Sequence, residues 1–490
     1  MSQSNFRMNI CATLMIAVLA LVGGRCPSAA AISAKDYGSI QEAIDANPGK
    51  MIEVPEGFYE ISEKIRISGT GGGLYGYGRI FQTNPEAAIL EIEHATGVRI
   101  KDLTFTRPEG KMESEASGIF CWDNVGCVLD GVRILNNRSR SGSIEVRDCL
   151  NFTIRNCEVI NYKRIAIDDR TGPDEPNYGY AFHCIDGTGI VVRSSGGTLI
   201  QNNRIVERNL FPTKEMKEKY QLGTLTEGKF PSKPGRLAGS AFRENYVNNW
   251  HQGSAMIVTS PKETHHTNII GNYLENAAQG VDMHSDFITC SNNTINHCFI
   301  GLKMTHGCRN LIVTSNLVTH ADKWGILMNP GAASHYAAEK TDDQEALPAN
   351  VDAGTIIANN IVTDFGYGDE YWNWGGKSPE ANGSYAIALF EGQFEENPPL
   401  RDILITGNIV YNTGRDSVLV HGKPEVQPPR YRYAVYAGPW GEGSEPKASA
   451  PDPDDLHFSN NIFHPGVKGI SNIELKKKKK KSSWESGALG

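Results

Sequence analysis

Gly280-Val-Asp-Met283 is one of four segments that place a methionine three residues after a glycine. The others are Gly253-Ser-Ala-Met256, Gly301-Leu-Lys-Met304 and Gly325-Ile-Leu-Met328, and the four glycines follow one another at intervals of 27, 21 and 24 residues. A repeat in the low twenties, built of short apolar segments and turn residues, is typical of a solenoid whose coils bury their apolar faces against each other. The repeat therefore predicts a protein of stacked coils.

A second repeat places an asparagine two residues before an aliphatic side chain. Its clearest members are Asn272, Asn293 and Asn316, at intervals of 21 and 23 residues. Looser members are Asn203, Asn245, Asn360, Asn408 and Asn461. Stacked identical amides hydrogen-bond along a ladder, which explains an asparagine at a fixed turn position. The apolar runs between these turns are short and bounded by Gly and Asn, so they predict strands and not helices.

This pattern, from Lys35 to Phe463, resembles the right-handed parallel β-helix of the pectin-lyase-like superfamily. The segment Ser39-Ile-Gln-Glu-Ala-Ile44 is similar to the family's capping helix, and 52–59 is similar to its first coil. The resemblance implies an all-β fold, a right-handed parallel β-helix solenoid with a short N-terminal capping helix, over residues 35–465. Because this fold hosts lyases, hydrolases, epimerases and binding proteins, it does not decide the function.

The two ends of the 490-residue chain are expected to lie outside the solenoid. Residues 1–31 have the composition of a signal peptide, with Arg7, an apolar run too short to span a bilayer, and small residues near Ala31. They predict a secreted or periplasmic protein without a membrane span. Residues 466–490 contain six consecutive lysines and are expected to be disordered. The net charge of −8 and the lack of a basic domain argue against nucleic acid as a partner, and we expect a monomer.

Three segments leave the coil pattern and are expected to be insertions: 170–183, 207–238 and 364–384. Long insertions in a solenoid tend to wall one face, often the binding face. The third contains Tyr371, Trp372 and Trp374, which we predict to bind substrate by stacking on sugar rings. The alternative is that these aromatic side chains cover exposed coil edges.

Strand geometry separates the repeat into an inner and an outer face, since successive side chains point to opposite sides. We expect Met256, Met283, Met304 and Met328 to form one internal column. The intervening residues should point outward, with neighbouring coils roughly 5 Å apart. The predicted catalytic residues on this outward patch are Asp282, His284, Lys303, His306 and His251, and Asp286 and Arg309 are predicted to bind substrate beside them. The alternative is a solvated salt-bridge ladder.

Within this patch, a narrower resemblance concerns the coil of Asp282. The run Gly280-Val-Asp-Met-His284, followed by Asn293, Gly301, Cys308 and Asn316, resembles the catalytic coils of mannuronan C5-epimerases. Those enzymes carry Asp-Pro-His-Asp after a Gly-aliphatic pair, so Asp282 and His284 match the first Asp and the His. Three positions depart: Met283 replaces Pro, Ser285 replaces the last Asp, and Gln279 stands where a catalytic Tyr is expected. The missing Tyr bears directly on epimerisation.

The resemblance implies an enzyme of an acidic, uronate-containing polysaccharide, either a lyase acting by β-elimination or a C5-epimerase. A cation neutralises the sugar carboxylate, and His284, Lys303 or His251 removes the C5 proton. Calcium held by Asp282 and Asp286 would be an alternative neutralising group, and no other cofactor or metal is predicted. Two rivals remain open: a glycoside hydrolase, which needs two carboxylates about 5 to 9.5 Å apart, and a non-catalytic glycan-binding β-helix.

Overall fold

Three parallel sheets of 13, 12 and 12 strands run the length of the chain. We call them sheets A, B and C, in the order in which each coil contributes one strand to each. The computed structural model describes residues 31–109, 116–139, 141–168, 182–210, 214–220, 253–261, 263–365, 384–412, 417–420, 423–426 and 431–475. The predicted fold, a right-handed parallel β-helix, is confirmed.

The strands are short, and each pairs with its counterparts one coil before and one coil after. Sheet A consists of Ile32–Ser33, Met51–Glu53, Gly73–Tyr75, Arg99–Lys101, Val128–Asp130, Thr153–Arg155, Leu199–Gln201, Asn268–Ile270, Thr289–Ser291, Ile312–Thr314, Ile356–Ala358, Ile403–Thr406 and Leu456–Ser459. Sheet B consists of Gly57–Ile61, Gly78–Gln82, Thr104–Thr106, Arg133–Leu135, Glu158–Ile160, Arg204–Val206, Tyr273–Glu275, Thr294–Asn296, Leu317–Thr319, Ile361–Thr363, Ile409–Tyr411 and Ile462–Phe463. Sheet C consists of Ile65–Thr70, Leu90–Thr96, Ile119–Trp122, Gly142–Arg147, Thr188–Arg193, Ser254–Thr259, Gln279–Met283, Ile300–Thr305, Trp324–Asn329, Tyr385–Phe390, Tyr433–Gly438 and Gly469–Ser471.

The remaining elements lie at the entry and in the insertions. Two antiparallel hairpins pair Arg164–Asp168 with Phe182–Asp186 and Ser417–Val420 with Lys423–Val426. The helices are Ala34–Asp36, Ile40–Ala46, Lys214–Tyr220 and Pro453–Asp455, the first and last being 3₁₀. Helix Ile40–Ala46 is the predicted capping helix. Its N-terminus is closed by Ser39, whose hydroxyl accepts from the amide of Glu42 at 3.0 Å, as an N-cap residue does.

The asparagine ladder is confirmed as a continuous row at the turn between sheets A and B. Each side-chain amide donates to the side-chain oxygen of the next rung, at 3.0 Å from Asn203 to Asn272 and at 2.9 Å from Asn272 to Asn293. The row continues through Asn316, Asn360, Asn408 and Asn461. The predicted rung at Asn245 is wrong, because Asn203 bonds directly to Asn272 and leaves no place between them; Asn245 itself lies outside the described residues.

The repeated glycines are required by the packing between sheets. A Cβ atom on Gly301 would lie 2.4 Å from the carbonyl oxygen of Gly325 and 2.5 Å from Cγ1 of Val318. Gly280 and Gly325 meet equally close neighbours, so a side chain at this position would displace backbone or core in three successive coils.

The internal methionine column is confirmed for three of its four members. Met283 pairs with Met304 and Met304 with Met328, and all three are fully buried. The placement of Met256 is wrong, because it pairs with Val281, two residues before Met283, and the partner of Met283 in that strand is Val258. The counterpart of Gly280 is Ala255, since the neighbouring pairs set that register, so aligning Gly253 with Gly280 shifted the strand by two residues.

The predicted boundaries need two changes. The last strand of sheet C, Gly469–Ser471, pairs with Tyr433–Gly438, so the solenoid continues past residue 465. An insertion that we did not predict, residues 330–353, joins sheet C to sheet A and is held by bridges between His335 and Asn350 and between Ala338 and Leu347.

The other predicted segments are described only in part. Of residues 170–183 only the last two are described, in the second strand of the first hairpin, and 207–238 are described only to 210 and over the helix Lys214–Tyr220. Nearly all of 364–384, residues 1–30 and residues 476–490 lie outside the described residues. Within the described ranges, no helix is long and apolar enough to cross a membrane.

Candidate active site

The candidate site lies on the outer face of sheet C, where Asp282 and Lys303 are paired across adjacent strands. Ile257 precedes Asp282 in the same column, and Leu327 follows Lys303. Apolar neighbours on both sides leave the two charged groups to interact with each other. The predicted stacking of Asp282 on Lys303 is what the register shows.

Asp282 is the hub of the polar contacts in this patch. Its Oδ1 lies 2.7 Å from Nε2 of His284 and 3.2 Å from Nζ of Lys303. The His284 side chain folds back along the strand toward the carboxylate, which brings two residues of one strand into direct hydrogen bonding. The ring of His306 stands edge-on to that of His284, with ring centroids 4.4 Å apart. Four of the five predicted catalytic residues are therefore brought together.

The patch is more enclosed than a solvent-exposed face. Asp282 is 4% exposed, His284 is 9% exposed and the side chain of Lys303 is 15% exposed. Part of the cover comes from the 330–353 insertion, because a Cβ atom on Gly331 would lie 2.6 Å from Nδ1 of His306. The alternative of a solvated ladder, weighed from the sequence, does not fit this burial.

The pKa values of two groups in this patch, Asp282 and His306, lie below their usual ranges. Burial by itself would raise the pKa of Asp282, but the charges of His284 and Lys303, with the hydrogen bond from His284, hold it well below its usual range. Burial, followed by the electrostatic effects of His284 and Lys303, lowers the pKa of His306 to about 3. At neutral pH the site therefore contains an ionised Asp282 and a neutral His306.

The ionised carboxylate fixes the tautomer of His284. A carboxylate only accepts hydrogen bonds, so Nε2 of His284 carries the proton in this contact. Nδ1 then has a lone pair, or a second proton when the ring is charged, and it faces Oγ1 of Thr259 at 3.4 Å. In this arrangement the carboxylate holds the imidazole ring in place, and the far nitrogen, Nδ1, is the atom that can exchange a proton.

Two buried polar atoms next to His284 have no hydrogen-bond partner among the described residues. They are Oγ1 of Thr305 and Oδ1 of Asn329, both on fully buried side chains that pair with each other across adjacent strands. Since Met283 pairs with Met304, the next residue, His284, stands opposite Thr305. Buried polar groups are nearly always hydrogen-bonded, so two unpartnered atoms in the column of the candidate base are unusual.

Asp286 and Arg309 form a separate, closed pair at the turn after sheet C. Nε of Arg309 lies 2.9 Å from Oδ2 of Asp286, and the backbone amide of Arg309 donates to Oδ1 at 3.0 Å. Both carboxylate oxygens are thus engaged, as are those of Asp282. In the described part of the chain no three His, Cys, Asp or Glu side chains are grouped to hold a metal. These contacts do not fit the calcium site that the sequence suggested at Asp282 and Asp286.

Four predicted site residues cannot be placed. His251, Tyr371, Trp372 and Trp374 lie outside the described residues. Their predicted roles stay predictions.

A carboxylate that the sequence did not bring into the site is Asp352, from the unpredicted insertion. It is fully buried and accepts hydrogen bonds from the amides of Gly307 and Cys308, at 3.1 Å each, and from Oγ of Ser334 at 2.7 Å. It therefore clamps the insertion to the turn that follows His306. Burial raises the pKa of Asp352 to about 7, although its hydrogen bonds favour the charged form. No local motif marks this aspartate in the sequence.

The same outer column of sheet C continues to Glu145. The register runs from Asp282 through Ile257 and Val191 to Glu145, which is three coil steps, or about 14 Å. Asp282 and Glu145 are too far apart to act on one glycosidic bond.

Comparison with solved structures gives matches that share the β-helix fold at low sequence identity. The chain is similar to the Dettilon tailspike protein, with a TM-score of 0.50 and 11% identity over 86% of this chain and 64% of the tailspike. It is also similar to the A-module of the mannuronan C-5 epimerase AlgE4 of Azotobacter vinelandii, with a TM-score of 0.45 and 11% identity over 91% and 98% of the two chains. An exopolygalacturonase of Thermotoga maritima matches with a TM-score of 0.43 and 13% identity over 76% and 81%.

No protein-family model and no curated protein sequence matches this chain. At 10 to 13% identity the structural likenesses establish the fold alone. The function has to be argued from the residues of the site.

Proposed function

We propose that the protein is an exported enzyme of a uronate-containing polysaccharide, and that it acts as a lyase by β-elimination. The observation that carries this proposal is the contact of 2.7 Å between Asp282 and His284, with Lys303 on the same carboxylate oxygen. One carboxylate thereby presents a base and a cation together on a buried face. Export rests on the signal-peptide composition of residues 1–31.

In this proposal His284 removes the proton on C5 of a uronate. Nδ1 takes the proton, the C–H electron pair forms the C4–C5 double bond, and the C4–O4 bond breaks. The departing O4 takes a proton from the imidazolium or from water. Lys303 faces the sugar carboxylate, whose neutralisation makes the C5 proton removable.

Elimination is favoured over C5-epimerisation by the placement of the imidazoles. An epimerase returns a proton to C5 from the opposite face of the ring, which requires a second acid across the substrate. Of the described groups near His284, His306 packs directly against its ring and is neutral because its pKa is lowered to about 3. It is therefore poorly suited to donate a proton from the far side.

A glycoside hydrolase is the second candidate, and one observation favours it. Glu91 and Glu145 flank Phe120 on the outer face of sheet C, two coil steps or about 9.6 Å apart, close to the upper limit for inverting enzymes. Both carboxylates already have cationic partners, Lys64 at 2.5 Å for Glu91 and Arg147 at 3.2 Å for Glu145. We rank it second because neither carboxylate is left free to approach the substrate.

The experiment that separates these functions is a screen of the purified protein. Alginate, polygalacturonate, glycosaminoglycans and ulvan are incubated with it, and ultraviolet absorbance and reducing ends are followed in parallel. New absorbance with new reducing ends supports the lyase. Reducing ends alone support the hydrolase, proton exchange at C5 without either supports an epimerase, and binding without any of these supports a glycan-binding protein.

A further inference from the structure

At the turn that joins sheet C to sheet A, one residue of each coil has left-handed backbone dihedral angles, and these residues stack into a column. Each residue of this column before the last donates its amide to the carbonyl that precedes the next rung, for instance from His266 to Asp286 and from Phe287 to Arg309. All ten rungs have a positive φ between 51° and 73°. They are Gly71, Gly97, Gly126, Asn151, Gly197, His266, Phe287, Asn310, Gly354 and Asp402.

Two rungs of this column carry ring side chains, unlike the others. Glycine, asparagine and aspartate tolerate left-handed backbone, and they fill eight of the ten positions. His266 and Phe287 fill the other two, with φ of 56° and 57°. Histidine is also tolerated in this conformation, as at His94, His297 and His320, so Phe287 is the backbone outlier, and such outliers concentrate at functional sites. The fold itself does not require them, because neighbouring coils turn with Asn or Gly.

The two bulky rungs form a flat aromatic surface, which we call the turn shelf. The rings of His266 and Phe287 are stacked, with centroids 4.7 Å apart and an interplanar angle of 8°. Phe287 is 45% exposed, among the larger apolar exposures of the described chain. The shelf therefore places apolar ring surface in solvent at a conformational cost.

The turn shelf opens onto a cleft of about 490 Å³, within the usual range for ligand sites of roughly 300–1,000 Å³. The opposite wall belongs to the 330–353 insertion, through His335, Leu347 and Pro348. Polar side chains at its edge include Arg309 and Asn350. An apolar shelf with a polar rim suits a pyranose ring, whose faces carry C–H groups and whose edge carries hydroxyls.

The residues that line the cleft follow those of the candidate active site closely along the chain. Phe287 follows His284 by three residues, and Arg309 follows His306 by three. We infer that the turn shelf is a sugar-binding subsite that stacks one pyranose ring of the same polysaccharide chain whose uronate lies at His284. This inference rests on the proposed function for the identity of the ligand. It adds the path of the polysaccharide, which runs from the outer face of sheet C over the turn toward sheet A.

The test replaces both rings by the residue that the column uses elsewhere. The variant His266→Asn, Phe287→Asn is compared with wild type for melting temperature and for binding of alginate and polygalacturonate by affinity electrophoresis. We expect an equal or higher melting temperature, because left-handed strain is relieved, together with an affinity about tenfold weaker, the scale of one aromatic stacking contact. The matched control, Asn151→Gly, changes a distant rung of the same column and should bind as wild type.

Each outcome separates the subsite from the proposed function. Unchanged affinity in the double variant overturns the subsite, even when wild type turns the polymer over. A clear loss of stability with the loss of binding also overturns it, because the rings would then be structural. Binding through the turn shelf without any turnover supports the subsite and contradicts the lyase. A wild-type protein that binds neither polymer contradicts both.

Discussion

Nε2 of His284 lies 2.7 Å from Oδ1 of Asp282, and Nζ of Lys303 lies 3.2 Å from the same oxygen. The carboxylate is 4% exposed and is kept ionised by these neighbours, which hold its pKa well below its usual range against the effect of burial. It thereby fixes the tautomer of the imidazole and the position of the ammonium group at once. The proposed chemistry depends on this shared carboxylate.

Removing the imidazole should abolish most of the activity. We expect His284→Ala to lower turnover at least about a hundredfold, the scale of a general base, and Asp282→Asn to lower it as well by releasing the ring. Initial rates on the substrate found by screening measure both. The matched control is His94→Ala, which removes an exposed histidine also paired with an aspartate, Asp123 at 2.7 Å, and should leave the rate near that of wild type.

The charge of Lys303 should matter most for a charged substrate. We expect Lys303→Met to lower kcat/KM about a hundredfold on a free uronate, because the sugar carboxylate loses its neutralising cation. A methyl-esterified polymer carries no such charge, so the same substitution should cost distinctly less on it. Equal losses on the free and the esterified polymer would show that Lys303 acts only by holding Asp282.

A stability prediction concerns the glycine position of the repeat. Gly301→Ala should destabilise the protein by about 1–3 kcal/mol, because the new Cβ would lie 2.4 Å from the carbonyl oxygen of Gly325. Chemical unfolding measures the change. Gly97→Ala is the control for added volume, since no atom lies within 4 Å of its Cβ position, although its φ of 69° adds its own strain. A Gly301→Ala protein as stable as wild type would contradict the close packing between coils.

Asp352 should make stability depend on pH in the neutral range. Burial raises its pKa from 3.8 to about 7, so the folded state binds this proton more tightly than the unfolded state. The contribution is therefore complete below about pH 3.8 and is lost as the pH rises through about 7. Melting temperatures from pH 5 to 8 should fall less steeply in Asp352→Asn than in wild type. Asp343→Asn, an exposed aspartate of the same insertion, should follow wild type.

The sequence was sufficient for the fold because the fold repeats. The amides of Asn272, Asn293 and Asn316 recur at one position of successive coils, and the ladder to which they belong runs from Asn203 to Asn461. Alternation along the strand then placed Asp282 and Lys303 on one face. The repeat was misread at Asn245 and at Met256, in and after a long segment between sheets B and C, where nothing in the spacing indicates how many residues belong to the turn.

The parts of the site that depend on inserted segments could not be predicted. Asp352 reaches the turn after His306 from the 330–353 insertion, a contact between positions 44 residues apart that no repeat encodes. The enclosure of Asp282 and the low pKa of His306 depend on the same packing. Likewise, the column of left-handed turns becomes visible only when the backbone angles of successive coils are compared, so His266 and Phe287 did not stand out in the sequence.

The most direct measurement of the central claim is the ultraviolet absorbance of a polyuronate digest by wild type and by His284→Ala. Wild type should generate the unsaturated product of β-elimination from at least one polymer of the panel, and His284→Ala should do so at least about a hundredfold more slowly while melting cooperatively. An unsaturated product formed at equal rates by both proteins, or new reducing ends without any absorbance, would contradict His284 as the base of a lyase.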